Sequence, residues 1–357
     1  MWDTMSPEGT DEPPLWLFKD IMLHDEEKTA AINVVCRGKC FCINLSPTNL
    51  DQTPGVLQKY LNLMKDVCND EDLEAAEEAE QSLQDWAMEP FLEIFEELEP
   101  SSNQQHITLQ DYLSPPTYRY QVYGQDDRLQ PFLDYAVPCH QTSDGIVVDE
   151  STLSSQWPLF RPKDIKIECP SMNESLSSFP RKVSAAGIVY HFKPVYSGNR
   201  PAALREIDVY RRLDRILASD EIRVPVLHGL VRDESGSLLI GLLLSWIECG
   251  NENLECILSS ETPLTFSLRE KWRKQITTTV TKLHEAGIIW GDTKAGNILI
   301  DSKEDAWVID FGGGFTEGWV EKSQMNTTEG DLAGLVKIEE LLQPQTTLKK
   351  RPLKDSD

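Results

Sequence analysis

The sequence predicts a mixed α+β fold in a chain long enough for two domains. Three observations favour this class. Short apolar runs joined by turn residues predict β-hairpins, and longer segments place apolar residues at helical spacing. Hydrophobic residues make up 40% of the 357 residues. A chain of this length and apolar content can bury the cores of two ordinary domains, so we expect an ordered protein.

The acidic charge is concentrated in the first half of the chain. Residues 1–165 contain 31 acidic and 10 basic side chains, a net charge of −21, whereas the remainder contains 28 acidic and 24 basic side chains, a net charge of −4. Nucleic-acid phosphates are bound by concentrated Lys and Arg. We therefore expect no nucleic-acid partner.

The sequence also predicts an intracellular protein, either cytoplasmic or nuclear. The first residues show no basic segment followed by an apolar run, and no apolar stretch approaches the length needed to cross a membrane. The eight cysteines are scattered, which favours a reducing compartment. Cys40 and Cys42 would share one face of a strand, which favours a buried sheet. The alternative, a metal site, would need a loosely placed His24 as a further ligand.

We predict an acidic α+β region over residues 15–157, preceded by a flexible lead-in at residues 1–14. Turn residues 37–39 and 124–128 each separate two apolar runs and predict two hairpins. The paired runs are Ala31–Val35 with Cys40–Leu45 and Tyr118–Tyr123 with Leu129–Leu133.

Helices are predicted between these hairpins. Val56–Val67 has helical apolar spacing, and Glu71–Glu99 carries 12 acidic residues with no Lys or Arg. Pro90 should divide the acidic segment into two helices, because proline is best tolerated in a first helical turn. Two interpretations stay open for this segment: a solvated acidic face over a packed apolar stripe, or a docking surface for a basic protein partner.

The most informative stretch is residues 283–314. Two apolar runs, Ile298–Ile300 and Ala306–Ile309, flank the polar insert Asp301–Asp305 and predict a hairpin. Pairing about the insert places Asn297 opposite Asp310 at the open end. The pairs in that register are Ile300 with Trp307, Leu299 with Val308, and Ile298 with Ile309. Amide and carboxylate oxygens brought together suit Mg²⁺ held jointly with phosphate.

Asp292 lies five residues before Asn297, after a predicted helix, and completes a recognisable set. Asp-x-x-x-x-Asn, strand, turn, strand, Asp-Phe-Gly resembles the catalytic and metal loops of the eukaryotic-type protein-kinase superfamily. More narrowly, the stretch is similar to a fungal group of small kinase-like proteins with IxWGDxKAxNxLID and AWxIDFGGG segments. The resemblance covers roughly Pro162–Leu342. It implies a two-lobed protein-kinase-like fold with a short C-lobe over residues 158–342, a disordered tail at 343–357, and ATP and Mg²⁺ as cofactors.

The resemblance also implies how the phosphates are held. The sequence predicts three strands, Asp164–Cys169, Arg181–Ala185 and Ile188–Val195. Lys193 lies near the end of the third, where the family supplies a Lys to the α- and β-phosphates. Glu206 lies on the apolar stripe of the helix predicted over Ala202–Leu217, and a buried carboxylate needs a cation. Lys193 is the partner that the resemblance implies, whereas Arg205 or Arg211 is the local alternative.

Two features bear on how ATP would bind. Leu242–Ile247 resembles the segment joining the two lobes, where backbone groups of Ser245, Trp246 and Ile247 would contact adenine; an ordinary buried strand end fits the same residues. The Gly-rich phosphate loop of the family is missing, because Pro170–Pro180 contains four Ser and no Gly. Close approach of the backbone to phosphate is harder without Gly.

By the same resemblance, Asp292 would accept the proton of the substrate hydroxyl or orient that group, and Lys294 would neutralise charge near the γ-phosphate. Trp290-Gly291 stands where His-Arg commonly precedes the catalytic Asp. We therefore expect no control through that Arg and a phosphorylated activation loop. Asp331 opens the last predicted helix, either as a brace for the catalytic loop or as a simple N-cap.

Three functions fit the sequence. The leading hypothesis is a Ser/Thr protein kinase that phosphorylates protein hydroxyl groups. The short segment after Asp331 also fits a small-molecule kinase of the aminoglycoside or choline type. The missing Gly-rich loop and the Trp290-Gly291 pair fit a pseudokinase that acts as a binding module.

Overall fold

The computed structural model describes residues 16–68, 73–98, 107–134, 145–149, 157–168, 179–216, 221–250, 253–260 and 263–343. The lead-in at 1–14, most of the Ser-rich segment 170–180 and nearly all of the tail at 343–357 lie outside these residues. The chain divides into two compact units. The first contains Met1–Ser143 and Arg161–Ile188, and the second contains Asp144–Phe160 and Val189–Asp357. The chain thus passes between the units three times, and a single boundary near Trp157 stays a prediction.

The first unit is built on a sheet of five strands in the order β1-β2-β3-β4-β5. Neighbouring strands are antiparallel except β3 and β4, which are parallel. The strands are β1 (Trp16–His24), β2 (Thr29–Cys36), β3 (Lys39–Leu45), β4 (Thr117–Gln125) and β5 (Arg128–Leu133). Both predicted hairpins are present, β2–β3 around Arg37-Gly38 and β4–β5 around Asp126-Asp127.

Helices occupy the connection between β3 and β4, as a parallel pairing requires a long crossover. They are α1 (Pro47–Leu50), α2 (Pro54–Val67), α3 (Leu73–Met88), α4 (Leu92–Glu96) and α5 (Leu109–Leu113). A short 3₁₀ turn, Glu89–Phe91, separates α3 from α4 at Pro90, as the sequence predicted. Phe91 and Phe95 are fully buried, and the Phe95 ring lies 4.9 Å from that of Phe41 on β3.

The first unit also contains features that the sequence analysis did not predict or left open. Strand β1 pairs with β2 along its length, although its residues were assigned to no element. Cys40 and Cys42 are buried within β3. By contrast, the strands predicted at Asp164–Cys169 and Arg181–Ala185 are present in this unit as β8 (Lys166–Ile167) and β9 (Lys182–Ala185), which form an antiparallel pair.

The strand order in the second unit is β7-β11-β12-β10. Strand β6 pairs with Leu238 and Leu239, the first residues of β12. The β7–β11 pair is parallel and the others are antiparallel. The strands are β6 (Ile146–Val147), β7 (Leu159–Phe160), β10 (Ile188–Pro194), β11 (Leu227–Arg232) and β12 (Leu238–Ser245). Lys193 lies near the end of β10, opposite Leu242 on β12.

Four helices are described in the second unit, α6 (Arg200–Leu213), α7 (Leu254–Ser259), α8 (Phe266–Glu285) and α9 (Thr328–Leu342). Pro201 lies in the first turn of α6, and Thr265 and Thr327 cap α8 and α9 through their hydroxyl groups. Trp272 on α8 and Trp290 after it are fully buried in one apolar core. No helix in the described parts of the chain is long and apolar enough to cross a membrane.

The hairpin that follows α8 is present, but its register differs from the prediction by one residue. Strands β13 (Ile298–Ile300) and β14 (Ala306–Val308) pair Ile300 with Ala306, Leu299 with Trp307 and Ile298 with Val308. The backbone N–H of Asp301 donates to the carbonyl of Asp305, 2.9 Å away. This bond joins the first and last residues of the five-residue turn, so Ile300 and Ala306 on either side of it form the first pair. Asn297 is consequently opposite Ile309, whose N–H donates to its carbonyl at 3.0 Å. The predicted pairing of Asn297 with Asp310 was therefore wrong.

Candidate active site

Lys193 is the centre of an ion-paired group drawn from three elements of the second unit. Its Nζ lies 2.7 Å from Oε2 of Glu206 on α6 and 2.9 Å from Oδ1 of Asp310 after β14. Glu206 is only 3% exposed, so its burial depends on this cation. The structure thus selects Lys193, and not Arg205 or Arg211, as the partner of Glu206.

The three groups shift one another's pKa values. Burial opposes the charged form of Lys193, but Glu206 and Asp310 outweigh it and raise its pKa. Burial raises the pKa of Glu206, and Lys193 offsets only part of that effect. Burial also acts to raise the pKa of Asp310, yet Lys193 and the Gly312 N–H bring it below the ordinary value. Asp310 is therefore a carboxylate at neutral pH, as a metal ligand must be.

Asp292 belongs to a second group, formed by the loop between α8 and β13. Nζ of Lys294 lies 2.8 Å from Oδ2 of Asp292, and the side-chain amide of Asn297 donates to both Oδ2 and the backbone carbonyl of Asp292, each at 2.9 Å. The hydroxyl of Thr316 donates to Oδ1 of Asp292 at 3.1 Å and accepts from Lys294 at 2.9 Å. These contacts fix the carboxylate of Asp292 from several directions.

Electrostatics connects the two groups. Lys294 contributes to the lowered pKa of Asp310, so its charge acts on both carboxylates. Asp310 has a positive φ of 64°, which is unusual for a residue with a side chain. A residue with this φ breaks the alternation of a strand. The direction of the Asp310 side chain therefore depends on this local turn and not on the hairpin register.

Asp331 supports the loop that carries Asp292 from the first turn of α9. It is 1% exposed, and its carboxylate accepts from the backbone N–H groups of Trp290 and Gly291, each at 2.7 Å, and from the Thr293 hydroxyl at 2.9 Å. His284 Nε2 lies 2.8 Å from the same carboxylate. Of the two interpretations left open by the sequence, the structure supports the brace, since α9 is capped by Thr327 instead.

The segment predicted to contact adenine begins at Ser245, the last residue of β12. The N–H of Ser245 already donates to the Val226 carbonyl at 2.9 Å, and its hydroxyl bonds to Val226 N–H and His228. Ser245 is thus committed to the sheet and cannot offer its N–H to a base. Trp246 and Ile247 lie beyond the strand end and stay candidates for this contact.

Asp310 and Asn297 offer the types of oxygen that Mg²⁺ takes when it is shared with phosphate. In the described parts of the chain, no group of three or more His, Cys, Asp or Glu residues could hold a metal by itself. Mg²⁺ commonly takes one or two protein oxygen ligands and completes its shell with phosphates and water. The Asp310 carboxylate and the Asn297 amide oxygen are ligands of this kind.

Sequence reasoning missed two features of this site. It did not identify Thr316, and it did not predict that Arg205 contacts the loops. Thr316 lies outside any recognised motif, so only its position in space reveals its contacts with Asp292 and Lys294. Arg205 was considered only as a partner of Glu206, but its guanidinium reaches the carbonyl groups of the loops before Asp292 and after Asp310.

Comparison with known proteins agrees with this architecture. Residues 199–333 match the family model described as the protein kinase domain. The match covers less than half of the chain and contains every candidate site residue except Lys193. A comparison with curated proteins gives no match. The fold of this part of the chain is therefore protein-kinase-like, a mixed α+β fold as the sequence predicted.

Proposed function

We propose that this chain is an ATP- and Mg²⁺-dependent phosphotransferase that acts on Ser or Thr hydroxyl groups of proteins. The observation that carries the proposal is the position of Lys193, whose ammonium group lies 2.7 Å from Glu206 and 2.9 Å from Asp310. A cation held between a helix and a metal loop is the arrangement that positions phosphates in kinase-like enzymes. The match of residues 199–333 to the protein kinase domain supports the same reaction class.

Each polar group has a distinct task in this proposal. Glu206 orients Lys193, whose Nζ contacts the phosphates, while Asp310 and Asn297 supply the oxygen ligands for Mg²⁺. Backbone groups of Trp246 and Ile247 contact the adenine. When bound, Mg²⁺ would neutralise negative charge on the phosphates.

Asp292 acts on the acceptor. Its carboxylate is held by Asn297, Thr316 and Lys294. It would orient the hydroxyl and accept its proton as the hydroxyl oxygen bonds to the γ-phosphorus. The bond from that phosphorus to the β–γ bridging oxygen breaks in the same transfer, and ADP leaves. Lys294 lies close enough to Asp292 to neutralise charge that develops on the transferred group. The Asp-x-Lys spacing supports a protein substrate, because it resembles Ser/Thr protein kinases more than small-molecule kinases.

Replacing Asp310 tests the site. We expect Asp310→Asn to abolish phosphoryl transfer, because the amide keeps the shape of the side chain but removes the negative charge with which this ligand would hold Mg²⁺. Lys193 keeps Glu206 as its partner, so the fold should persist. The measurement is transfer of labelled phosphate from ATP to a pool of Ser- and Thr-containing peptides, with circular dichroism as the check on folding.

Asp208→Asn is the matched control, since Asp208 lies on the surface of α6 and pairs with the nearby Arg211 at 3.2 Å. Full activity in Asp310→Asn would refute the site.

A parallel incubation with a metabolite pool tests the substrate class, because label found only in a metabolite would refute the protein-kinase assignment. Absence of a thermal shift with millimolar Mg·ATP would refute nucleotide binding, since a ligand at about 100 times its Kd stabilises by roughly 2.7 kcal/mol.

A further inference from the structure

Arg205 lies beside Glu206 on α6, and its guanidinium contacts both loops of the site. One nitrogen, Nη1, donates to the carbonyl of Trp290 at 3.2 Å and to the carbonyl of Phe311. The other, Nη2, donates to the carbonyl of Ile289 at 2.9 Å. A single side chain therefore joins the loop before Asp292 to the loop after Asp310.

The two loops leave space for this guanidinium. Gly291 has a φ of +91°, and a Cβ at this position would lie 2.4 Å from Nη2 of Arg205. Gly313 has a φ of +73°, and its Cβ would lie 3.0 Å from Nη1. Because the first of these distances is shorter than any real Cβ contact, a side chain at residue 291 would displace Arg205. Glycine is thus required at residue 291 because any side chain there would occupy the space of the Arg205 guanidinium.

Neighbouring residues of α6 hold Phe311 at the same time. The Phe311 carbonyl accepts from Arg205, and the Phe311 backbone acts to lower the pKa of Glu206. The Tyr210 ring packs edge-on against the Phe311 ring at 5.7 Å. The residue after Asp310 is consequently held by one helix at its carbonyl and at its ring.

We propose that Arg205 is a positioning residue that couples α6 to the catalytic and metal loops. This inference rests on the proposed function. A helix moves as a rigid unit, so any displacement of α6 would remove the Glu206 partner of Lys193 and release both loops together. Asp292 and Asp310 are in this way set in place by a contact within the chain, with no need for a phosphorylated residue to order them.

Arg205→Gln tests the coupling, and Arg212→Gln is its matched control. Arg212 also lies on α6 and donates to backbone carbonyls, those of Ala286 at 3.3 Å and Gly287 at 2.5 Å, but these follow α8 and precede the catalytic loop. We expect Arg205→Gln to lower kcat by about 100-fold, the loss typical of a small misplacement of reacting groups. KM for the peptide should change little, and Arg212→Gln should leave kcat within about twofold of wild type. Equal losses of kcat in the two variants would overturn the proposal, because both would then reflect general loss of structure.

Hydrogen exchange gives a readout that does not require activity. In Arg205→Gln, amides from Ile288 to Asp292 and from Asp310 to Gly314 should exchange faster than in wild type, whereas Arg212→Gln should leave the second segment unchanged. Unchanged exchange in both segments would overturn the coupling. If wild type transfers no phosphate, the proposed function fails while exchange still tests the coupling.

Arg205→Lys replaces the Gln variant if the latter does not fold. Lysine keeps the charge but lacks the planar fork that reaches several carbonyls at once. We expect a similar loss of kcat and faster exchange in both segments. Wild-type values of both quantities would overturn the role of the guanidinium.

Discussion

At the scale of single residues, burial acts against the charged form of Glu206. The side chain is almost completely buried, and burial raises its pKa more than Lys193 lowers it. An acid whose folded pKa exceeds its ordinary value binds protons more readily in the folded protein than in the unfolded chain. Its ionisation therefore costs folding free energy, although the proposed reaction requires the ionised form.

This situation gives a pH-dependent prediction for Glu206→Gln. In wild type, the favourable contribution of Glu206 to the free energy of unfolding is fully present below its ordinary pKa of 4.5. This contribution is lost as the pH rises through the raised pKa of the folded protein. Glutamine does not titrate, so the stability of the variant relative to wild type should increase across that window. Urea unfolding at a series of pH values measures the difference.

Glu270→Gln provides the opposite control. The hydrogen bond from Arg273 lowers the pKa of this exposed carboxyl group. Its contribution to the free energy of unfolding is therefore present above pH 4.5 and is lost in acid. If the Glu206 and Glu270 variants show the same trend with pH, the assigned shift of Glu206 is wrong.

At the scale of elements, the loop that carries Asp292 is supported mainly from α9. Asp331 satisfies two backbone N–H groups and a hydroxyl of this loop, and these donors would be left buried without it. A buried donor that loses its partner costs its full desolvation free energy, about 1–3 kcal/mol for each group.

We expect Asp331→Ala to lower the free energy of unfolding by about 3 kcal/mol or more and to abolish phosphoryl transfer. Chemical denaturation and the peptide assay measure the two effects. Glu329→Ala removes an exposed carboxylate from the same helical turn, and through the helix dipole alone should cost about 0.5 kcal/mol. Comparable losses in the two variants would show that Asp331 acts only as a helix-terminal charge.

The hairpin β13–β14 illustrates what could be predicted for an element. The alternation of apolar runs around Asp301–Asp305 predicts two antiparallel strands, and they are present. The register depends on which backbone groups close the turn, and here Asp301 and Asp305 do so. Several turn geometries fit five polar residues, so the pairing of Asn297 with Asp310 was wrong by one position.

At the scale of the whole molecule, the two compact units are interleaved along the sequence. Ile146 and Val148 are buried in the core of the second unit, although they precede the boundary that the sequence predicted near Trp157; Trp157 is buried in the same core. Strand β6, which carries Ile146, pairs with β12 of that unit.

Ile146→Ala in the full chain tests this assignment. Truncating a buried isoleucine typically costs about 2–5 kcal/mol, and only the unit that contains it should be affected. In scanning calorimetry, Ile146→Ala should lower the temperature of the same unfolding transition as Val280→Ala, which truncates a residue in the core of the second unit. It should not lower the temperature of the transition that Ile32→Ala affects, because Ile32 lies in the core of the first unit. A shift shared with Ile32→Ala instead would show that Ile146 belongs to the first unit.

The sequence by itself determined the mixed α+β class, the main helices and hairpins, and the identities of Lys193, Glu206, Asp292 and Asp310 as candidate groups. The fold class, helices and hairpins follow from local patterns, because apolar periodicity and turn residues act over a few neighbours. The four candidate residues follow from the resemblance to the catalytic and metal loops of protein kinases. Tertiary structure alone decided the partner of Glu206, the brace at Asp331 and the contacts of Arg205 and Thr316. Each joins residues far apart in the chain, and the choice among several chemically competent partners depends on distances that folding sets.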